Sequence, residues 1–265
     1  MNLKLFVVGL LLSPFFTVSS PAQAVVSEVR VLDLNICGAV CRNGETAYTG
    51  IYIRTKAQTF GANIITLQEV CSSQHTAIQK ALGPYWHGIF KKGTYSSKCQ
   101  GSSKKHGMSV FTLGKHTDAR WWLLPHADPD TNRAWWLLCV KWRGFNICTT
   151  HIRAFTVNHP PLPGQLPYLI KREQTYFARA IIQSFADPTV WAGDFNQQPG
   201  SVAMQTLYAT SGWREADQAD NESTVDGSPV KIDYVWGTKF PDYVWGNTIG
   251  SAITDHRIYY AILRY

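Results

Sequence analysis

From residue 70 to residue 117 the sequence contains no aspartate and no glutamate. No carboxylate in that stretch can ligate a metal, and none neutralises its lysines. After the N-terminal segment there is no apolar run long enough to cross a bilayer, which excludes a later membrane-spanning helix. Internal repeats and low-complexity linkers are absent too, so nothing divides the chain into arrays or tethered modules. Charge of negative sign is in short supply overall: 25 Lys and Arg stand against 18 Asp and Glu, a formal net charge of +7. Such a balance favours polyanions as partners, among them nucleic acid, anionic lipid and phosphorylated small molecules.

The N-terminus is apolar. Lys4 precedes an apolar run from Leu5 to Phe16, and Ala22-Gln23-Ala24 is a small-residue cleavage pattern. Residues 1–24 therefore read as a secretory signal peptide, leaving 25–265 as one α/β domain that is exported to the extracellular space or periplasm. Removing 1–24 takes away Lys4 alone, so 24 basic residues face 18 acidic ones, a net +6. The six cysteines, Cys37, Cys41, Cys71, Cys99, Cys139 and Cys148, are even in number, as disulfides in an exported chain require. One pair follows from geometry. Arg143-Gly144 suits a two-residue hairpin turn, and counting outward places Cys139 opposite Cys148 at a non-hydrogen-bonded position, Cα atoms about 4.5 Å apart and within disulfide range. The other four allow three pairings, all left open.

Stretches rich in Val, Ile, Thr and aromatics predict strands at 28–35, 64–68, 109–113, 120–124, 134–142, 145–152, 189–192, 232–236 and 257–263. Helical patterns fall at 48–60, 73–82 and 169–186. This mixture, with its hairpin, predicts mixed rather than purely parallel sheets. The doublets Trp121-Trp122 and Trp135-Trp136 suit strands with one ring in a core and the other over an edge. The lysines Lys91, Lys92, Lys98, Lys104 and Lys105 lie among Gly and Ser and read as a flexible basic loop able to grip a polyanion. A proline-rich loop, 154–167, shapes the rim beyond His151.

Polar residues collect at the strand ends. Asn35 closes VRVLDLN, Glu69 closes NIITLQE and His151 closes FNICTTH. Asp194 and Asn196 follow TVWAG, Asp233 opens KIDYVW, and Asp255-His256 precedes RIYYAIL. One such residue is an ordinary turn former. Acids, amides and two histidines converging at one sheet end are what metal-assisted phosphoester chemistry requires.

The ordered set LDLN, LQEV, TTHI, AGDFN, KIDYV and TDH resembles the endonuclease/exonuclease/phosphatase superfamily, the deoxyribonuclease I-like fold. The resemblance spans Val29 to Tyr265. It implies a four-layer α/β sandwich: two mixed β-sheets packed face to face, with helices on the outside. It also implies a phosphoesterase dependent on a divalent ion, Mg²⁺ with Mn²⁺ or Ca²⁺ as alternatives. By the same resemblance Glu69, Asn35 and Asp255 hold the metal. Asp194 orients or deprotonates the attacking water, and Asn196 holds a phosphate oxygen. His256, with Asp233 on its other ring nitrogen, stabilises charge on the phosphorane. His151 donates to a phosphate or leaving oxygen, while His106 and Arg133 contact substrate. In pancreatic-type deoxyribonucleases a glutamate before the HG-like strand supports the first histidine. The acid-free stretch here leaves His151 to another orienting group, such as Tyr95, a backbone carbonyl or water. The substrate implied is DNA, cleaved by a monomer without stable membrane insertion. Phospholipids of the sphingomyelinase type, inositol phosphates and a toxin-type nuclease with partner subunits are the alternatives. A catalytically silent binding module would have no need of both histidines and the metal acid.

Overall fold

The computed structural model describes residues 28–127, 133–155, 161 and 164–265. The predicted signal segment, 1–24, and much of the proline-rich loop lie outside them. Twelve strands and four helices follow in the order β1 (Glu28–Asn35), α1 (Ala47–Phe60), β2 (Ile64–Cys71), α2 (Ser72–Leu82), β3 (Trp86–Tyr95), β4 (Lys105–Leu113), β5 (Thr117–Leu123), β6 (Trp136–Trp142), β7 (Phe145–His151), α3 (Pro167–Gln183), β8 (Thr189–Asp194), α4 (Val202–Tyr208), β9 (Trp213–Glu215), β10 (Asp233–Thr238), β11 (Tyr243–Ile249) and β12 (Ile258–Arg264). They form two six-stranded sheets, ordered β11-β12-β1-β2-β4-β3 and β5-β6-β7-β8-β10-β9. Each is mixed: β1/β2 and β7/β8 run parallel, and the other neighbours antiparallel.

Strand periodicity explains the layers. Alternate side chains of a strand face opposite ways. Val29 and Val31 of β1, Ile147 of β7, Val190 and Ala192 of β8 and Val235 of β10 meet in the core between the sheets. The interleaved Leu32 and Leu34 pack outward under α1 and α2 with Ile53, Ala57 and Ile78. On the other side Trp191, Tyr234 and Trp236 pack under α3 and α4 with Ala178, Ile182, Met204 and Leu207. The four layers are those expected.

The β6–β7 hairpin has the predicted register, with Cys139 opposite Cys148 and their Cα atoms 4.1 Å apart in a disulfide. Arg143 and Gly144 both have positive φ, 48° and 87°, as a tight primed turn demands. The remaining pairs are Cys37–Cys41 and Cys71–Cys99. Three disulfides fit an oxidising compartment. No helix among the described residues is long and apolar enough to cross a membrane.

Two expectations need correction. The lysine-rich segment is mostly a hairpin rather than a flexible loop: Lys91 and Lys92 lie in β3 and Lys105 opens β4. Lys104 donates its ammonium to the Cys99 carbonyl at 2.7 Å, so it ties the loop internally. Strands β3, β9 and β11 and helix α4 were not anticipated. The three strands are sheet edges: β9 has only three residues, and glycines in β3 and β11, with lysines in β3, break the apolar alternation that marks an inner strand.

Candidate active site

The parity that builds the inter-sheet core also builds the site. Moving along β1 on the inward face, Val31 gives way to Asp33 and then Asn35. On β8, Ala192 gives way to Asp194, and on β7, Thr149 gives way to His151. At this end the space between the sheets turns from apolar to polar. Asp233 enters directly opposite Asp194 on the antiparallel neighbour, and His151 lies beside Asp194 on the parallel one. Two carboxylates facing each other across a ladder repel. His256 offsets that repulsion. Its Nδ1 lies 2.9 Å from Asp233 Oδ2 and its Nε2 3.9 Å from Asp194 Oδ2.

Asp194 is the hub. Its Oδ2 accepts from Asn35 Nδ2 at 3.0 Å and lies 3.6 Å from His151 Nε2. Its Oδ1 accepts the backbone N–H of Asn196 at 2.8 Å. Gly193 is needed for close approach rather than to turn the chain. The strand continues through Asp194, and a Cβ at Gly193 would sit 2.1 Å from the Thr150 carbonyl oxygen, at a φ of +144°.

Glu69 reaches the site by a different device. Inward parity on β2 belongs to Ile64, Thr66 and Gln68, so residue 69 would ordinarily face α2. A register shift between Leu67 and Val70 and a φ of +56° at Glu69 mark a bulge that re-aims its side chain. Glu69 Oε1 then accepts from Asn35 Nδ2 at 3.1 Å and lies 3.9 Å from His151 Nε2. Burial pushes the Glu69 carboxyl up, but the fields of His151 and His106 and the Asn35 bond outweigh it and hold the group below its ordinary value. For His256, burial disfavours the imidazolium, and Asp233, through charge and hydrogen bond together with Asp194, reverses that and raises it well above the ordinary value. Burial raises Asp233. The pair is held as carboxylate and imidazolium at neutral pH.

Other expected site residues are placed less simply. Asn35 turns its amide nitrogen to the two carboxylates, while its oxygen accepts the Cys37 N–H at 2.9 Å. Asn196 lies beyond the strand at φ +50°, so it does not share an extended face with Asp194. One of its amide hydrogens is committed to the Ile152 carbonyl at 2.9 Å. Asp255 is exposed, in contact with Thr254 and beside the Cys37–Cys41 disulfide; its charge acts on His256. Those sulfurs are bonded to each other, so the Cys37, Cys41 and Asp255 grouping offers no thiolate. His106 lies against the Glu69 backbone, within the fields of Glu69, His151 and Arg133. Tyr95, one candidate to orient His151, instead carries Lys92 over its ring at 4.2 Å.

Several contributors escaped sequence reading. Beneath the site, fully buried Asp33 accepts from Thr66 Oγ1 at 2.6 Å and Gln68 Nε2 at 2.8 Å, and Gln68 also donates to Thr149 Oγ1 at 3.0 Å. Inward parity was the available signal for this polar layer. From α3, Lys171 donates to the Asn196 carbonyl at 2.7 Å, and Gln174 accepts the Arg153 N–H at 2.9 Å. Thr175 accepts from Gln197 Nε2 at 2.8 Å. Positions 171, 174 and 175 share one helix face, so α3 latches both loops that leave the site.

The sequence pattern of the Endonuclease/Exonuclease/phosphatase family matches residues 34–256, from Leu34 within LDLN to His256 of TDH. The chain belongs to that family. Endonuclease/exonuclease/phosphatase proteins are divalent-metal-dependent phosphoric ester hydrolases, and this chain is such a hydrolase by membership. Solved structures repeat the fold. A truncated TDP2 from Caenorhabditis elegans superposes with a TM-score of 0.64 at 16% identity, over 90% of this chain and 98% of that one. The catalytic domain of human Nocturnin, with a bound sulfate anion, gives 0.64 at 17%, over 90% and 95%. A family member from Beutenbergia cavernae DSM 12333 gives 0.69 at 18%, over 90% and 72%. No curated protein matches the chain.

The donor chemistry fits the family's ion. Glu69 and Asp194 present hard carboxylate oxygens on either side of the Asn35 amide, and Asp233 stands opposite Asp194. Oxygen-rich sets of this kind suit Mg²⁺, Mn²⁺ or Ca²⁺ rather than a soft metal.

Proposed function

We propose that the chain is a secreted, divalent-metal-dependent phosphodiesterase that hydrolyses DNA by attack of water on phosphorus. One observation carries the reading: Asp194 and Asp233 face each other with the His256 imidazolium between them, while Asn35 and His151 converge on the same Asp194 oxygen. A buried carboxylate surrounded by donors is placed to orient a water and accept its proton. The imidazolium of His256, held by Asp233, offsets negative charge that grows on the phosphorane oxygens. His151, half-buried with its Nε2 beside the Asp194 and Glu69 carboxylates, donates to a phosphate or leaving oxygen. The amide hydrogen of Asn196 not spent on Ile152 is left for a second phosphate oxygen. Glu69 would hold the ion, Mg²⁺ in the first instance, with Asp255 at the rim; Asn35, whose amide nitrogen faces the two carboxylates, would join them by turning its oxygen inward. That ion, when bound, supplies Lewis-acid polarisation of the phosphate. Arg133, beside His106, is the guanidinium for substrate phosphate. Export is supported by the disulfides and by the N-terminal sequence pattern.

The test is direct. Purified protein is expected to nick plasmid DNA with Mg²⁺ or Mn²⁺ and to stop with EDTA. Activity that survives chelation refutes the metal mechanism. In a parallel assay on sphingomyelin and inositol phosphates, turnover of either with plasmid untouched refutes the DNA reading.

A further inference from the structure

Charge is divided unequally across the site. Two acid-free stretches, 70–117 and 133–172, hold thirteen of the chain's 25 lysines and arginines and no carboxylate. They supply β3, β4, β6 and β7, which stack on one flank of the sandwich, and the Ala134 N–H bonds the Gly93 carbonyl at 2.8 Å to join the two sheets there. The opposite flank, built from 213–257, has eight carboxylates against four cations. A polyanion entering the site is drawn to the first flank and repelled from the second.

That flank carries aromatic rings alternating with cations. Lys92 lies 4.2 Å over the ring of Tyr95, which is 52% exposed. Two residues beyond His151, the Arg153 guanidinium lies between the half-buried rings of Trp135, at 4.9 Å, and Phe155, at 4.7 Å. His106 lies opposite Thr94 in the β3–β4 ladder, within the field of Arg133, whose chain neighbour Ala134 bonds Gly93. Cations that follow a backbone beside rings with a free face are the construction by which proteins hold unpaired nucleotides; bases in a duplex already stack on one another and cannot reach such rings.

The geometry points to a track for single-stranded polynucleotide along this flank, running from Tyr95 and Lys92 past Arg133 to Trp135 and Phe155. Bases stack on the rings and phosphates follow the cations into the site. For what happens to the strand once bound, this rests on the nuclease reading above; the binding itself does not. An anionic or choline-bearing lipid surface is disfavoured, because the rings are spaced between buried and half-buried cations rather than gathered in one apolar patch.

Fluorescence anisotropy of the mature chain in EDTA, with a labelled single-stranded 20-mer and its duplex, tests the track without cleavage. The single strand is expected to bind about tenfold or more tighter. Tyr95→Ala and Lys92→Ala should each weaken it by about fivefold or more. Lys80→Ala, on the exposed end of α2, removes the same charge away from the track and serves as the control. Equal or tighter binding of the duplex overturns the proposal, as does an effect of Lys80→Ala equal to that of Lys92→Ala. So does stronger binding to sphingomyelin vesicles in a co-sedimentation arm. With Mn²⁺ added, failure to hydrolyse either the oligonucleotide or bis(p-nitrophenyl) phosphate would instead refute the phosphodiesterase reading, and the binding result would stand by itself.

Discussion

Replacing Asp233 with Asn tests the central pair most sharply. The change keeps the shape and a hydrogen-bonding oxygen but removes the charge 2.9 Å from His256 Nδ1. Two unit charges about 4 Å apart attract by about 4 kcal/mol at an effective dielectric near 20. At about 1.4 kcal/mol per pH unit, that is a fall of about three units in the imidazolium titration. Burial already opposes the charged ring, and only Asp194, 3.9 Å from Nε2, remains to favour it. The sign is therefore fixed. In the native protein His256 stays protonated through neutral pH, and in Asp233→Asn it loses its proton at lower pH. The alkaline limb of kcat/KM should move acidward by two to three units, on the order of the Coulomb figure above. At pH 8 the protonated fraction, and the rate with it, should drop about two- to tenfold, and at pH 10 about 50- to 500-fold. A pH–rate profile from 5 to 10 on bis(p-nitrophenyl) phosphate reads the effect, and an NMR titration of the His256 ring assigns it. An alkaline limb that stays in place, or a loss below tenfold at pH 10, would refute the assignment of His256 as the charged stabiliser.

Three further outcomes are expected. Lys171→Met should lower kcat about tenfold or more with KM nearly unchanged, since Lys171 fixes the Asn196 peptide beside Asp194 and touches no substrate; Lys171→Arg should recover most of it, and a matching loss of melting temperature without a kcat change would count against this positioning role. Lys231→Met strands Glu215 and Asp217, which its ammonium contacts at 2.9 and 3.0 Å in a buried cluster. The cost is about 3–5 kcal/mol, or about 10 °C in Tm by calorimetry, and adding Glu215→Gln and Asp217→Asn should restore much of it. Glu69→Gln should raise the Mg²⁺ concentration needed for half-maximal plasmid cleavage about tenfold or more, as expected for loss of a charged ligand; an unchanged metal requirement would remove Glu69 from the ion's shell.

The division between what sequence and fold each contribute runs through particular residues. Sequence alone determined the two-period pattern that sorts Val31 from Leu32 and Val190 from Trp191, hence the layers and the sheets. It determined the β6–β7 register and with it Cys139–Cys148, because a two-residue turn leaves one way to count outward. The ordered strand-end motifs carried the family likeness and marked the polar set, because each lies where an inward-facing row leaves the core. Only the tertiary structure decided what touches what. That Asp233 lies opposite Asp194 depends on β10 pairing with β8 across about forty residues of intervening chain, a choice no local pattern encodes. The bulge at Glu69, the pairing of the other four cysteines, and the α3 latch onto Asn196 are of the same kind. So is the conversion of an apparent lysine loop into one wall of a cation–aromatic flank. Local periodicity states which face a side chain takes. Long-range packing, driven by burial of the shared apolar rows, sets which other faces it meets.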